Sequence, residues 1–126
     1  MLKWLIDKLI ESSGTILQVR KDHRELADKA LNAVSRAINE TYIYYRDVEA
    51  GDEIDKKRRD HLVHLWSQAA IPLRHIDLEL AEICQYKSRY WLEPSNWRNE
   101  DVENFGIALE IVRDRYHALL QPRGLL

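Results

Sequence analysis

The sequence predicts an all-α protein, a single-domain antiparallel helical bundle of about five helices spanning residues 1–126. Apolar residues recur three or four positions apart along most of the chain, which is the period of a helix that buries one side. No segment alternates convincingly with the period of two expected of a strand. With only 4 Gly and 3 Pro, the chain has little turn material, which favours long helices joined by short connections.

The first predicted helix lies within residues 1–20 and is amphipathic. Its apolar side is formed by Leu2, Leu5, Ile6, Leu9 and Ile10, and the pattern resumes at Ile16 and Leu17 because a single Gly14 is tolerated. We expect this segment to be an interaction arm that packs on the bundle or on a partner chain. A helix lying on a membrane surface is the other interpretation, but the polar face is mixed in charge and no membrane partner is expected.

The central helix of the bundle is predicted from Asp22 to Asp47, a stretch without Gly or Pro. Asp22 and Glu25 have the spacing of a capping box, and Gly51 supplies a stop signal after the helix. The alanines of its predicted buried stripe are small residues, which let neighbouring helices come close. The stripe consists of Leu26, Ala30, Val34, Ala37, Thr41 and Tyr45.

Two further helices are bounded by recognisable end signals. The third helix begins at Asp52 or Glu53, where acidic side chains suit the helix dipole, and ends at Pro72. The fourth runs from residue 78 to about residue 91 behind Asp77, which is its predicted cap.

The last helix is predicted to start at an Asn99 cap and to close at Gln121. Gly106 is a candidate break one turn into this helix. The predicted core stripe consists of Val102, Phe105, Leu109, Val112, Tyr116 and Leu119.

Charge, cysteine content and hydropathy argue against several functional classes. The net charge of −2 gives no overall attraction to nucleic acid or to anionic membranes. Cys84 is the single cysteine, so neither an intrachain disulfide nor a cysteine-based zinc site within one chain is expected. Lys3, Asp7 and Lys8 interrupt the apolar start, unlike in a signal peptide, and no apolar run would span a bilayer. A cytoplasmic protein is therefore expected.

One short motif suggests chemistry, and it consists of Arg59, Asp60 and His64 on the third helix. Its spacing resembles the Arg-x4–6-His signature of the HEPN ribonucleases, which are small all-helical domains. The resemblance implies that Arg59 stabilises phosphate charge, that Asp60 orients the pair and that His64 acts as general acid or base. RNA would supply its own 2′-hydroxyl nucleophile, so the implied enzyme is a metal-independent endoribonuclease.

The same motif can also be interpreted as an ordinary solvated helix face. At about 100° per residue, Arg59 and His64 lie about 140° apart around a helix, so a single chain does not bring them together. HEPN enzymes build their site across a dimer, which would overcome this separation. Lys56, Lys57 and Arg58 are candidate phosphate-binding residues just upstream, although the acidic residues around them dilute their charge.

No metal and no cofactor are predicted. Asp60 and His64 are four residues apart and could present two ligands on one helix. Ferritin-like di-iron bundles, however, require a Glu-x-x-His pair on each of two helices, and the sequence contains none.

The aromatic content points to a contact surface. The chain has 4 Trp and 6 Tyr, more than a core of this size is expected to hold, and such side chains are favoured at interfaces. The candidate interaction residues are Trp4, Tyr42, Tyr44, Tyr45 and Trp66. The favoured function is a non-catalytic helical interaction or regulatory module that associates with itself or with a protein partner. The alternative is the dimeric HEPN-like ribonuclease, with RNA as its substrate.

Overall fold

The fold is all-α, as predicted. A computed structural model describes the backbone of residues 13–121 and the side chains of residues 21–121, and this part of the chain contains no strand. The helices are α1 (Ser13–Glu49), α2 (Lys56–Leu73), α3 (Leu78–Leu92), α4 (Asn99–Asn104) and α5 (Leu109–Leu120), with a 3-10 turn at Pro94–Asn96 between α3 and α4.

Helix α1 differs from the prediction because it has no break near residue 21. Ser13–Glu49 is one continuous helix, so Asp22 lies inside it and does not begin a helix. Gly14 is also helical, which is consistent with the modest cost of about 1 kcal/mol for Gly in a helix. The predicted helical segment Leu2–Glu11 lies outside the described residues.

The turn between α1 and α2 combines a glycine with an aspartate cap. Gly51 has a φ of 106°, which residues with a side chain rarely adopt, and it ends the path of α1. The Asp55 carboxylate accepts hydrogen bonds from the backbone N–H groups of Lys57 and Arg58, at 2.9 and 3.4 Å. Helix α2 therefore starts at Lys56, later than predicted, because the effective cap is the last of several acidic residues.

The ends of α2 and α3 follow the sequence signals closely. Pro72 lies in the last turn of α2, which ends one residue later at Leu73. Asp77 caps α3 as predicted, and its carboxylate accepts a hydrogen bond from the backbone N–H of Leu80 at 3.0 Å.

Gly106 divides the predicted last helix in two. Its φ of 65° lies in the left-handed region, and the chain turns there between α4 and α5. The turn inserts Ile107 into the core with no exposed surface and leaves Phe105 44% exposed, although Phe105 was expected in the core stripe. Helix α4 begins at Asn99, with Arg98 rather than Asn99 as the cap residue.

The core lies mainly where α2 packs against both α1 and α3. The fully buried Trp66 is held in place by the donation of its indole N–H to the Thr41 hydroxyl at 3.0 Å. Thr41 in turn donates to the carbonyl oxygen of Ala37 at 2.7 Å. These hydrogen bonds tie α2 to α1, and α5 also packs against α1.

Candidate functional site

The Arg59, Asp60 and His64 motif lies on one continuous helix, α2. Because Arg59 and His64 are five positions apart on this helix, their side chains leave the axis about 140° apart. Asp60 and His64 are exposed, and Arg59 is half-buried with its Nε atom lacking a hydrogen-bond partner. Within residues 21–121, no hydrogen bond or ion pair connects these three side chains, so a single chain does not assemble the catalytic arrangement that the resemblance implies.

The predicted phosphate-binding residues differ in their surroundings. Lys56 and Lys57 are exposed at the start of α2. Arg58 forms a 2.9 Å ion pair with Asp47 and lies over the ring of Tyr44 at 5.3 Å, so its charge ties α2 to α1. A hydrogen bond from Arg46, and then one from Arg58, lower the pKa of Asp47. Arg58 is therefore a structural cation in this chain.

Two of the predicted interaction residues are buried. Trp66 has no exposed surface, and Tyr44 is only 4% exposed with its ring packed edge-on against Trp91 at 5.4 Å. Neither side chain can contribute to an exposed contact surface in this fold. Helices α1 and α3 accommodate these aromatic side chains because their rings pack in tilted and edge-on contacts among Tyr44, Tyr45, Tyr90 and Trp91. Trp4 lies outside the described residues.

Tyr42 and Tyr45 line a cavity of about 560 Å³, which we call the Lys87 cavity. It lies between α1, α3 and the α4–α5 turn. Its walls are formed by Tyr42, Tyr45, Arg46, Glu49, Lys87, Tyr90, Val102, Ile107, Ala108, Leu109 and Glu110. Volumes of 300–1,000 Å³ are typical of sites for small molecules.

Lys87 is the most unusual side chain in this cavity, because it is charged at neutral pH in water but only 3% exposed here. Its Nζ atom lies 5.8 Å from the ring centre of Trp66 and 5.5 Å from that of Tyr90. Within the described part of the chain, no carboxylate lies at ion-pair distance from it. Burial lowers the pKa of Lys87 to about 8, although the charge of Glu110 opposes this.

Three phenol groups supply further polar atoms around the cavity. The Tyr42 hydroxyl accepts a hydrogen bond from Arg113 at 3.2 Å and keeps its own O–H for donation. Tyr45 is hydrogen-bonded to Tyr90, and burial together with Tyr90 raises the pKa of Tyr45. Sequence reasoning missed this site, although one signal was visible: Lys87 continues the apolar stripe of α3 formed by Leu80, Cys84 and Trp91.

A second surface feature lies at the start of the described chain. Residues 13–29 of α1, which we call the α1 extension, form a helix of about 25 Å that precedes Ala30, the first buried side chain described on α1. All side chains from Lys21 to Glu25 are exposed. At the base of this extension is a groove of about 410 Å³, the α1–α2 groove, lined by Leu26, Lys29, Ala33, Gln68, Ile71, Pro72 and His75.

Other kinds of site find little support in the described residues. Within residues 13–121, no cluster of three or more His, Cys, Asp or Glu could hold a metal ion, and no helix is both long and apolar enough to cross a membrane. The Cys84 thiol is buried, and burial raises its pKa to about 12, which makes it a poor nucleophile.

Comparisons with known proteins find no matching family model, no matching curated protein and no matching solved structure.

Proposed function

We propose that this protein is a non-catalytic helical interaction module that associates with a second copy of itself through the α1 extension and the α1–α2 groove. The observation that carries the proposal is the length of α1. It is already helical at Ser13, whereas its first buried described side chain is Ala30. From Lys21 to Lys29 its side chains are exposed or half-exposed, and isolated helices are marginal in water, so this stretch is best explained by a partner.

The α1–α2 groove provides a surface that such a partner can bury. Ile71 is 60% exposed in the groove, next to Pro72 and close to Leu26 of the extension. Together with Ala33 these side chains make the lining largely apolar. Burying apolar area of this kind supplies about 25 cal/mol per Å².

A second copy of the chain is the partner that accounts for both features. In a two-fold symmetric pair, the extension of each copy can lie in the groove of the other, so one contact type covers both surfaces. The apolar pattern of residues 1–20 in the sequence supplies an amphipathic helix for this purpose. The half-exposed tyrosines of the Lys87 cavity are not needed for this contact.

The test is the oligomeric state of wild type, Ile71→Glu and Leu92→Glu, measured by analytical ultracentrifugation over a range of concentrations. Leu92 is a matched control because it is 65% exposed but lies at the end of α3, away from the groove. We expect a dimer for wild type and for Leu92→Glu, and a shift to monomer of at least tenfold in dissociation constant for Ile71→Glu. A monomeric wild type, or equal behaviour of the two variants, would overturn the proposal.

The ribonuclease hypothesis stays an alternative prediction, and it also requires a dimer, because one chain holds Arg59 and His64 apart. Incubation of wild type and His64→Ala with total RNA in EDTA tests it directly. Cleavage by wild type that is lost in the variant would establish this activity. Intact RNA with a dimeric wild type would leave the interaction module as the supported function.

A further inference from the structure

We propose that the Lys87 cavity is a binding site for a small organic carboxylate with an apolar body, whose carboxylate group binds the Lys87 ammonium group. This site is separate from the α1–α2 groove and does not depend on self-association.

The charges in the cavity are arranged by depth. Lys87 is 3% exposed, whereas Glu49, Glu110 and Arg46 are exposed side chains near solvent. Charges in contact with water are hydrated and screened, whereas a buried charge is not. The inner end is therefore positive and attracts an anion, in spite of the two carboxylates closer to solvent.

The side chains next to the Lys87 amine do not use its N–H donors, so these can bind a ligand. Its two close neighbours are the faces of Trp66 and Tyr90, which stabilise a cation but accept no conventional hydrogen bond. An ammonium group has three N–H donors, and a carboxylate is the acceptor that forms the strongest bonds with them. The phenol of Tyr42 also lines the cavity, and its O–H is a further donor because its oxygen already accepts from Arg113.

The remaining walls select for an apolar body. Val102 of α4, Ile107 and Ala108 of the α4–α5 turn, and Leu109 at the start of α5 supply apolar lining to the cavity. Burial of an aromatic or branched body there is favourable, whereas a second charged group would lose its hydration. The ligand class is therefore a monocarboxylate with an apolar body, for which phenylacetate is a simple probe.

The test is isothermal titration calorimetry with phenylacetate, and with phenylacetamide as the uncharged molecule of the same shape. We expect phenylacetate to bind at least tenfold more tightly than phenylacetamide to wild type. The variant Lys87→Met should lose this preference, and Lys56→Met, which removes an exposed lysine on α2, should keep it. Circular dichroism checks that both variants are folded.

A second measurement on the unaltered protein keeps the proposal falsifiable if Lys87→Met fails to fold. At about pH 8.5 part of the Lys87 population is neutral, so a bound carboxylate should draw a proton onto the amine. Titrations in two buffers with different ionisation enthalpies should reveal this proton uptake. No binding of phenylacetate, equal binding of the amide, or binding without proton uptake would each overturn the proposal.

Discussion

Replacement of Lys87 by methionine should make the protein more stable at neutral pH. Methionine has a similar length and no charge, so it fills the same space against Trp66 and Tyr90. A lysine pKa that falls from 10.5 to about 8 corresponds to a cost of about 3 kcal/mol for holding the charge in the folded protein near pH 7. The pKa reflects every interaction of the charged amine, so the contacts with the two rings are already contained in this cost. The expected gain is therefore up to about 3 kcal/mol.

The gain should depend on pH in a defined direction. Below about pH 8 Lys87 is charged in both the folded and the unfolded chain. The free energy of unfolding of the wild type is therefore lowered by the full cost of burying the charge. Between about pH 8 and 10.5 the Lys87 amine is deprotonated in the folded chain but still protonated in the unfolded chain. Because the unfolded chain then binds more protons, the free energy of unfolding of the wild type rises with pH. The advantage of Lys87→Met should shrink across this interval.

Urea denaturation followed by far-ultraviolet circular dichroism, at several pH values for both proteins, measures this difference. Burial also raises the pKa of Tyr45, so Tyr45 lowers stability at high pH, but it is present in each protein and its effect cancels in the difference. Lys56→Met serves as the surface control and should change stability by no more than about 0.5 kcal/mol. A less stable Lys87→Met, or a difference that does not vary with pH, would refute the reasoning.

Three other perturbations test separate parts of the fold. Thr41→Val should destabilise the protein by about 1–3 kcal/mol in urea denaturation, because the buried indole N–H of Trp66 loses its acceptor, and an unchanged midpoint would contradict that role. Gly106→Ala should cost about 1–2 kcal/mol by the same measurement, since its φ of 65° is unfavourable for alanine while the nearest side-chain atom, Ile83 Cδ1, lies at an ordinary 3.9 Å. The Cys84 thiol should react with iodoacetamide at a rate limited by unfolding, and a rate that stays the same in urea would show that the thiol is accessible in the folded state.

The helical stripes and several helix ends could be predicted from sequence because they depend on local patterns. Asp77 as a cap and Gly106 as a break each act through their own backbone geometry, and both predictions were confirmed. The absence of a break before Asp22 could not be predicted, since a capping residue is equally acceptable inside a long helix. Likewise, the start of α2 depended on which of several acidic residues forms the cap, and the structure selects Asp55.

The site was harder to predict than the fold because it depends on how helices pack. Trp66 was placed on a surface by its residue type, but its indole N–H donates a hydrogen bond to Thr41, 25 residues earlier, and this makes its burial favourable. Lys87 was not considered because a lysine is normally solvated. Only the packing of α3 against α2 brings Trp66 to the amine, which also lies next to Tyr90 of α3 itself.

The position of Lys87 beside Trp66 gives the protein an internal optical probe. The amine lies 5.8 Å from the ring centre of a fully buried indole, and that indole is fixed by its hydrogen bond to Thr41. A charge so close to a buried ring shifts the energy of its excited state through the electric field, which acts strongly at low dielectric. The contribution of Trp66 to the emission of the 4 Trp in the chain therefore depends on whether Lys87 carries its proton.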